Sequence, residues 1–437
     1  MGRVRQKTSL ALSAAALLAL SGAASATRLD LLSNVELKAA NYQRLIYGSG
    51  SDSQPLFSED ATLGFVIKGI RLEKTQDSTM DVGIVLQSVG QGTSTGTIAT
   101  PQFKDAAALL PSTDGTPYIR NAYVRVYHFL KPGITATFGR QDFTLGQGIT
   151  LSGDDLGLPG GLLEAENVLG KMKADLFVFR PFKIDHYYTI TGGAAYYPTG
   201  EGLWELYHFW QNDKAAAQDL NFDTLSRTKK FTGVRYFLTR SNLSFDGEAV
   251  IERGTSKRNR GGTGNYKGNA FMLKGSWTQD IAFFGESRLR LAYGRSSGGT
   301  SWNATDKAFF PDFGSRYSGL ERSGYGAIAG ASLYDIIKTS STLNGLPYGV
   351  SGLNIIDIGA DLPYKKLIFS ADLYKFRASE NNNNGSLQIA SELDLKAAYP
   401  MGDNLRLTMV YAVLTPLGLY NNAPPSKLVY GAVSAKF

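Results

Sequence analysis

The chain has 437 residues, no cysteine, 45 Lys and Arg against 38 Asp and Glu, and a formal charge of +7. The missing cysteines exclude a disulfide framework, a thiolate metal site and a cysteine-borne lipid anchor, and so mild a charge gives no argument for nucleic acid as a partner. Glycine (49), tyrosine (23) and phenylalanine (23) are plentiful, proline (15) is not, and no stretch after residue 26 approaches the roughly 18 apolar residues of a membrane helix. A membrane-spanning element there has to be a closed β-barrel, the other structure that satisfies every backbone group in lipid.

The first element is a leader. Arg3, Arg5 and Lys7 precede "LALSAAALLALSGA", which ends at Ala24-Ser25-Ala26, the pattern of a secretory signal peptide over residues 1–26. A membrane anchor is the alternative, but the apolar core is shorter than the roughly 20 residues that span a bilayer. Without those three cations the formal charge falls from +7 to +4.

From residue 27 to 437 the chain reads as one all-β unit. "ATLGFVIKGI" puts Ala61, Leu63, Phe65 and Ile67 on one face, and "MDVGIVLQS" does the same with Val82, Ile84 and Leu86. "NAYVRVYHF" sets Ala122, Val124 and Val126 against Tyr123, Arg125 and Tyr127. "NLSFDGEAVIERG" sets Leu243, Phe245, Gly247, Ala249 and Ile251 against Ser244, Asp246, Glu248 and Glu252. Such period-two segments are the repeated signature of outer-membrane strands, although a β-sandwich shares the alternation.

The connections separate the two, because barrels of this kind have short periplasmic turns and long outer loops. Tight turns are expected at "KPG", "PTGEG", "TRSN", "DLPYKK" and "PMGDN", and long polar loops between them, above all at 90–117 and 297–349. Counting back from Phe437 with every tight turn on one side gives strands near residues 427, 405, 387, 366, 350, 286, 266, 243, 229, 203, 187, 174, 161, 133, 118, 79, 60 and 35. The expected fold is a transmembrane antiparallel β-barrel of about 18 strands with periplasmic termini. Merging the strands near 161 and 174 while losing another gives 16. The 297–349 stretch, with "ASLYDIIK", is long for a structureless loop and is expected to carry a short helix or fold inward.

At "AYVRVYHFLKPGITATFGRQDFTLGQG" the sequence resembles the alginate-export family of outer-membrane barrels. Gly139, Arg140 and Gln141 match that family's Gly-Arg-Gln motif, and "LSGDDLGLPGGLLEAENV" matches the Gly-rich acidic loop after it. "ASELDLKAAYPMGDNLRLTMVYAVLTPLG" is similar to the family's last hairpin, with Glu392 and Asp394 on its inner face. The resemblance implies an 18-stranded export channel with a long late loop and acidic saccharides as cargo; related barrels pass other solutes. Phe437 resembles the C-terminal assembly signal of outer-membrane proteins, which makes the barrel assembly machinery an expected partner beside outer-membrane lipid.

If the apolar faces meet lipid, Lys68, Arg125, Arg235, Lys274, Arg288, Arg290, Lys396 and Arg406 point into the lumen with Asp246, Glu248, Glu252, Asp357, Asp372, Glu392 and Asp394. On the lipid side each Arg or Lys would cost about 2–4 kcal/mol near the midplane. Arginine rings select anions in pores and the guanidinium fork fits carboxylates, with Arg288 and Arg290 leading. The alternative is that these groups pair across the lumen and hold the barrel's shape. Arg140 joins the pore-lining set on the resemblance, since it shares parity with Phe138.

Trp204, Trp210, Trp277, Tyr187, Tyr188, Tyr196 and Tyr197 are expected in the interfacial girdles. His128, His186 and His208 lack metal spacing. "NNNN" at 381–384 and "GDD" at 153–155 read as loop tips rather than calcium sites, so no metal or cofactor is called for. The expected function is a channel that passes small polar or anionic solutes, or polysaccharide, and is not an enzyme. The alternatives are a non-conducting adhesin or structural barrel, and a barrel hydrolase.

Overall fold

A computed structural model describes residues 27–44, 53–72, 78–92, 110–153, 156–181, 187–221, 223–259, 261–301, 305–337, 340, 342–421 and 423–437. The expected signal peptide, part of the 90–117 loop, the Asp154-Asp155 pair and His186 lie outside the described residues. The alternating segments become one sheet of 22 strands. Four of these are pieces of two to four residues, Ala217–Gln218, Thr263–Tyr266, Thr300–Ser301 and Thr305–Asp306. The other 18 form the wall: β1 (Arg28–Gln43), β2 (Ser53–Arg71), β3 (Thr79–Gly92), β4 (Tyr118–Tyr127), β5 (Ile134–Gln141), β6 (Leu158–Ala165), β7 (Lys173–Phe179), β8 (Tyr188–Thr199), β9 (Gly202–Asp213), β10 (Asp223–Arg240), β11 (Leu243–Arg258), β12 (Asn269–Ile281), β13 (Gly285–Ser296), β14 (Val350–Tyr364), β15 (Leu367–Asn381), β16 (Gln388–Met401), β17 (Leu405–Pro416) and β18 (Ser426–Lys436). β6 and β7, where a merger to 16 was the alternative, are both present and are among the shortest strands.

Each wall strand pairs antiparallel with its sequence neighbours, and β18 closes on β1 with Val35 opposite Ala435 and Asn34 opposite Lys436. Beyond that ladder the Phe437 and Ser33 backbones exchange two hydrogen bonds, of 2.9 and 3.0 Å. The residues between β8 and β9, β10 and β11, and β14 and β15 are two-residue turns, the shortest hairpin connections, with positive φ at Gly200, Ser241 and Lys365. All lie at the end that carries Arg28 and Lys436, the periplasmic end by the short-turn rule.

The outer surface is apolar because its solvent is lipid. Leu29, Leu31, Leu176, Leu206, Leu291, Ile358 and Leu373 all stand more than half exposed there. The opposite faces bury their side chains, and toward the long-loop end they pack on chain folded back into the barrel. Phe143, Leu145, Ile149 and Leu151 of the 142–157 connection, and Phe309, Phe310, Ile328, Leu333, Tyr334, Ile336 and Ile337 of the 297–349 connection, join inward residues of the wall such as Phe177, Phe179, Tyr207, Phe209 and Phe231 in one buried cluster. Phe143 lies 4.8 and 5.0 Å from Phe177 and Phe179, and Phe310 lies 5.6 Å from Tyr334, between ring centroids. The two connections are tied together as well. Ser152 N–H donates to Phe313 O at 2.7 Å and Ser315 N–H to Gly148 O at 2.8 Å. The described part of 297–349 folds inward and contains no helix, including at "ASLYDII".

A candidate solute pathway bounded by two inward loops

Three seats hold the loops, and each is built from charges on the wall. In the first, Glu205 and Glu248 project inward from β9 and β11 and accept hydrogen bonds from Gly146 N–H at 2.8 Å and from Gln147 N–H. Arg235 on β10 grips Asp246 with two bonds of 2.7 and 2.8 Å and donates a third, of 2.7 Å, to the Gly146 carbonyl. Tyr207 Oη also donates to Glu248. Gly146 sits at φ +58°, and a Cβ there would overlap the Glu248 carboxylate, so only glycine brings its N–H this close.

The second seat repeats the device on β16, five strands further round the wall than β11. Glu392 on β16 accepts Ile328 N–H at 2.6 Å and Ala329 N–H at 3.0 Å, and Asp394 accepts Ala327 N–H at 2.8 Å. The glycine before them, Gly326, has φ +81°, and a Cβ on it would overlap Glu392. A carboxylate that receives two backbone N–H groups satisfies donors that would otherwise be orphaned in an apolar plug.

The third seat is a buried charge cluster. Lys229 on β10 is 1 % exposed and stands 3.3 Å from Asp219, 3.3 Å from Asp312 and 3.8 Å from Glu252, with its Nζ donating to Phe310 O at 2.8 Å. Arg227 adds contacts of 3.3, 3.1 and 3.1 Å to Asp213, Asp219 and Asp312. Tyr188 and Tyr266 donate to Asp312 and Asp219, each at 2.6 Å. Although burial alone pushes carboxyls upward, the Lys229 and Arg227 charges hold Asp219 and Asp312 below the usual carboxylate range. Burial holds Asp306 up to about 6, against a lowering hydrogen bond from Asn221.

The expected pore-lining residues therefore fall into groups. Arg235, Asp246, Glu248, Glu252, Glu392 and Asp394 lie on inward faces and are engaged with the loops, as given above. Arg125 pairs with Glu164 at 2.8 Å, Lys68 with Asp30 at 2.7 Å, and Arg290 with Asp361 and Asp372 at 3.1 and 2.8 Å. Asp357 is buried with an oxygen that lacks a protein partner. Lys274, Arg288, Lys396 and Arg406 share the inward parity and have no ion-pair partner among the described residues; Lys274 has the Tyr325 ring 5.9 Å away. Arg288, Lys396 and Arg406 sit below the plug, toward the short turns, while Lys274 lies in register with Asp246 at the level of the first seat.

Arg140 is a correction. It pairs across the sheet with Ala122 and shares the face of half-exposed Phe138, which is outside the barrel, and its Nη1 donates to Ile119 O at 2.8 Å. Parity decides here, because no bulge interrupts β5. In the same motif Gly139 has φ +117°, and a Cβ there would overlap the Ala122 carbonyl. Tyr188 and Tyr196 are also corrected. They face inward, Tyr188 onto Asp312 and Tyr196 onto Asp175 at 3.0 Å, while Trp204, Trp210, Trp277, Tyr187 and Tyr197 are exposed.

Sequence reasoning missed Lys229, Arg227, Asp219 and Asp312, and also Lys38. That last group is 5 % exposed, meets Glu321 of the long loop and lies 3.8 Å from the Tyr430 ring. Beside it runs a polar recess of about 180 Å³ between the inner faces of β1 and β2 and residues 318–322, lined by Glu36, Lys38, Asp60, Glu321 and Arg322 among others. The two histidines among the described residues are far apart in role. His208 bonds Thr232 at 2.7 Å on the outer face and His128 sits in a turn. Among the described residues no group of three or more His, Asp or Glu is placed to hold a metal ion.

No family model matches the chain, and no curated protein matches it. Solved structures do. It is similar to OccK9 (OpdG) of Pseudomonas aeruginosa at 11 % identity and a TM-score of 0.56, covering 94 % of this chain and 98 % of that one. A BenF-like porin from Pseudomonas fluorescens Pf-5 gives 11 % and 0.54 over 94 % and 98 %. OpdK of Pseudomonas aeruginosa with vanillate gives 10 % and 0.53 over 93 % and 98 %. At these identities the likeness concerns architecture, and it agrees with the ladder traced strand by strand: the chain has the fold of the bacterial outer-membrane porins, an all-β closed barrel of 18 antiparallel strands.

Proposed function

We propose that the chain is an outer-membrane channel that passes small anionic solutes through a lumen narrowed by its own loops, and that it is not an enzyme. The observation that carries this reading is the division of the inward charges. Above, cations and carboxylates are consumed in seating the plug; below, Arg288, Lys396 and Arg406 remain inward and without an ion-pair partner among the described residues. Unpaired cations in a water-filled passage raise the local concentration of anions and replace part of their hydration. A solute then passes the plug along the polar recess beside Lys38, where Glu36, Asp60 and Arg322 keep the walls wet. Vanillate, found with one of the similar barrels, is a carboxylate of the class this arrangement suits.

Acidic saccharides, the cargo implied by the alginate-export resemblance, are the finer alternative. Arg140 faces outward and Glu392 and Asp394 hold loop backbone, so the positions that carry that resemblance are not the ones offered to a solute. An adhesin gains no support from a long loop whose described residues turn inward, nor a hydrolase from His208 on the outer face and His128 in a turn, the two histidines among the described residues. Secretion through a signal peptide at 1–26 and assembly through the Phe437 strand belong to the same reading. Deleting Phe437 removes two of the bonds that close β18 on β1 and is expected to leave secreted but unassembled protein.

The test is reconstitution in planar bilayers. Single-channel steps with a reversal potential favouring anions in a salt gradient are expected. A bilayer that stays silent, even after residues 305–337 are removed, would overturn the channel.

A further inference from the structure

The outward faces of β9 to β15 change character one or two rows above the lipid band. Leu206, Val234, Ile251, Leu291, Ile358 and Leu373 are exposed apolar residues, and above them, toward the long-loop end, stand Lys230, Arg253, Lys257, Arg295, Lys375 and Arg377. Their aim follows from parity. Lys230 is sandwiched in register between Trp210 and Arg253, and Arg295 and Arg377 flank Asn354 in a single row. The carboxylates of β11, β14 and β15, such as Glu248, Glu252, Asp357 and Asp372, have the opposite parity.

Lys230 directly opposite Arg253 is a pairing that a sheet avoids. Like charges at that position have Cβ atoms about 5 Å apart and repel. Neither has a carboxylate partner among the described residues, and Arg253 reaches only the carbonyls of Glu252 and Gly268, at 2.7 and 3.2 Å. One row higher the surface hollows into an open concavity of about 690 Å³, lined on the outward side by Asn212, Ser226, Thr228, Thr255, Lys257 and Thr263, with Asp213 and its partner Arg227 of the buried cluster behind them. Hydroxyls and an amide fill the space between the cations.

We propose that this face is a docking surface for a phosphorylated glycolipid of the membrane leaflet at the long-loop end. Phosphates bridge Lys230 with Arg253 and, across Asn354, Arg295 with Arg377, turning the repulsive Lys230–Arg253 pair into an attractive one. Sugar hydroxyls bond the Thr, Ser and Asn side chains of the concavity, and the acyl chains run down over the exposed leucines below. The height is the argument for a lipid over a soluble anion: the cations lie at the edge of the apolar band, where a headgroup sits, and point away from the lumen.

The probe is bisphosphorylated lipid A added to the purified full-length protein in detergent, with the same lipid after phosphatase treatment as comparison. Thermal unfolding of the barrel and bound lipid per protein are the readouts. The expected result is phosphate-dependent binding that weakens about fivefold for each cation removed, the equivalent of about 1 kcal/mol each, in the series K230Q, K230Q/R253Q and K230Q/R253Q/K257Q. K230R/K257R, which folds with the same charge, retains it, and K365Q/K366Q in a periplasmic turn leaves it unchanged. Equal binding of the dephosphorylated lipid, or an equal loss in K365Q/K366Q, would overturn the proposal. Ion selectivity in bilayers is independent of this face, so the channel reading and this one fail separately.

Discussion

The upper and lower halves of the lumen are built from the same residue types and use them differently. Above, Lys229 and Glu252 are shut away from water at 1 and 0 % exposure, and both bond the backbone of Phe310 in the inward loop. Below, Arg288 and Arg406 are exposed. A buried ion costs several kcal/mol of desolvation and is tolerated only where geometry returns it, so the upper charges are structural. The lower ones stay hydrated and remain available to a solute.

The comparison breaks most severely at Lys229. Lys229→Met leaves Asp219, Asp312 and Glu252 facing one another with Arg227 alone to balance them, and breaking a buried pair in this way costs about 3–5 kcal/mol. The expected outcome is a barrel that still assembles with the 305–337 segment unseated, read as larger unitary conductance and faster amide exchange confined to that segment. Unchanged exchange there would mean that apolar packing holds the plug without the charges.

Glu392→Gln is the next smaller change. The amide keeps one oxygen for two N–H donors, so Ile328 or Ala329 loses its acceptor at a cost of about 1–3 kcal/mol. Brief openings of the plug are expected, with the seat at Glu248 intact. Acidification acts on the third seat in a defined direction. Asp219 and Asp312 are held below their ordinary value of 3.8, so their contribution is complete above it and is lost as pH falls through their lower folded values. Asp306, raised to about 6, works oppositely: its contribution is complete below the ordinary 3.8 and is lost as pH rises through about 6. Open probability is therefore expected to pass through a minimum in mildly acidic solution and to climb steeply in strong acid; a monotonic record from pH 3 to pH 7, roughly the window these shifts span, would contradict the seat described.

The wall was legible because a strand between lipid and water leaves a period of two; Leu158–Ala165, with two glycines and a proline, shows it least and was placed by its neighbours and the turn count. The plug was less so. Its seats join residues far apart in the chain, such as Gln147 with Glu248 or Ile328 with Glu392, and no local pattern encodes such pairs. One signal was present all the same. In "LWELYHFW" the tryptophans take the lipid parity, which leaves Tyr207 and Phe209 facing inward where a water-filled pore has no use for them. Inward aromatics implied something apolar inside. Arg140 shows the opposite failure, a resemblance preferred over parity.

The smallest expected effect separates two arginines on one strand. Arg290 is compensated by Asp361 and Asp372, so Arg290→Ala removes a cation and releases two carboxylates, making the passage more acidic and straining β13 against β14. Arg288, two residues earlier on the same face, has no ion-pair partner among the described residues, and Arg288→Ala removes field alone. A unit charge about 10 Å from the ion path in water contributes about 0.4 kcal/mol, about a factor of two in anion-to-cation permeability. Reversal potentials in a salt gradient should move toward cations by that amount in Arg288→Ala with no loss of thermal stability, and the shift should shrink as salt screens it. Arg290→Ala should move them further and lower the unfolding temperature. Equal behaviour of the two variants would mean that Arg288 is a structural residue, and that the lower lumen follows the same rule as the upper.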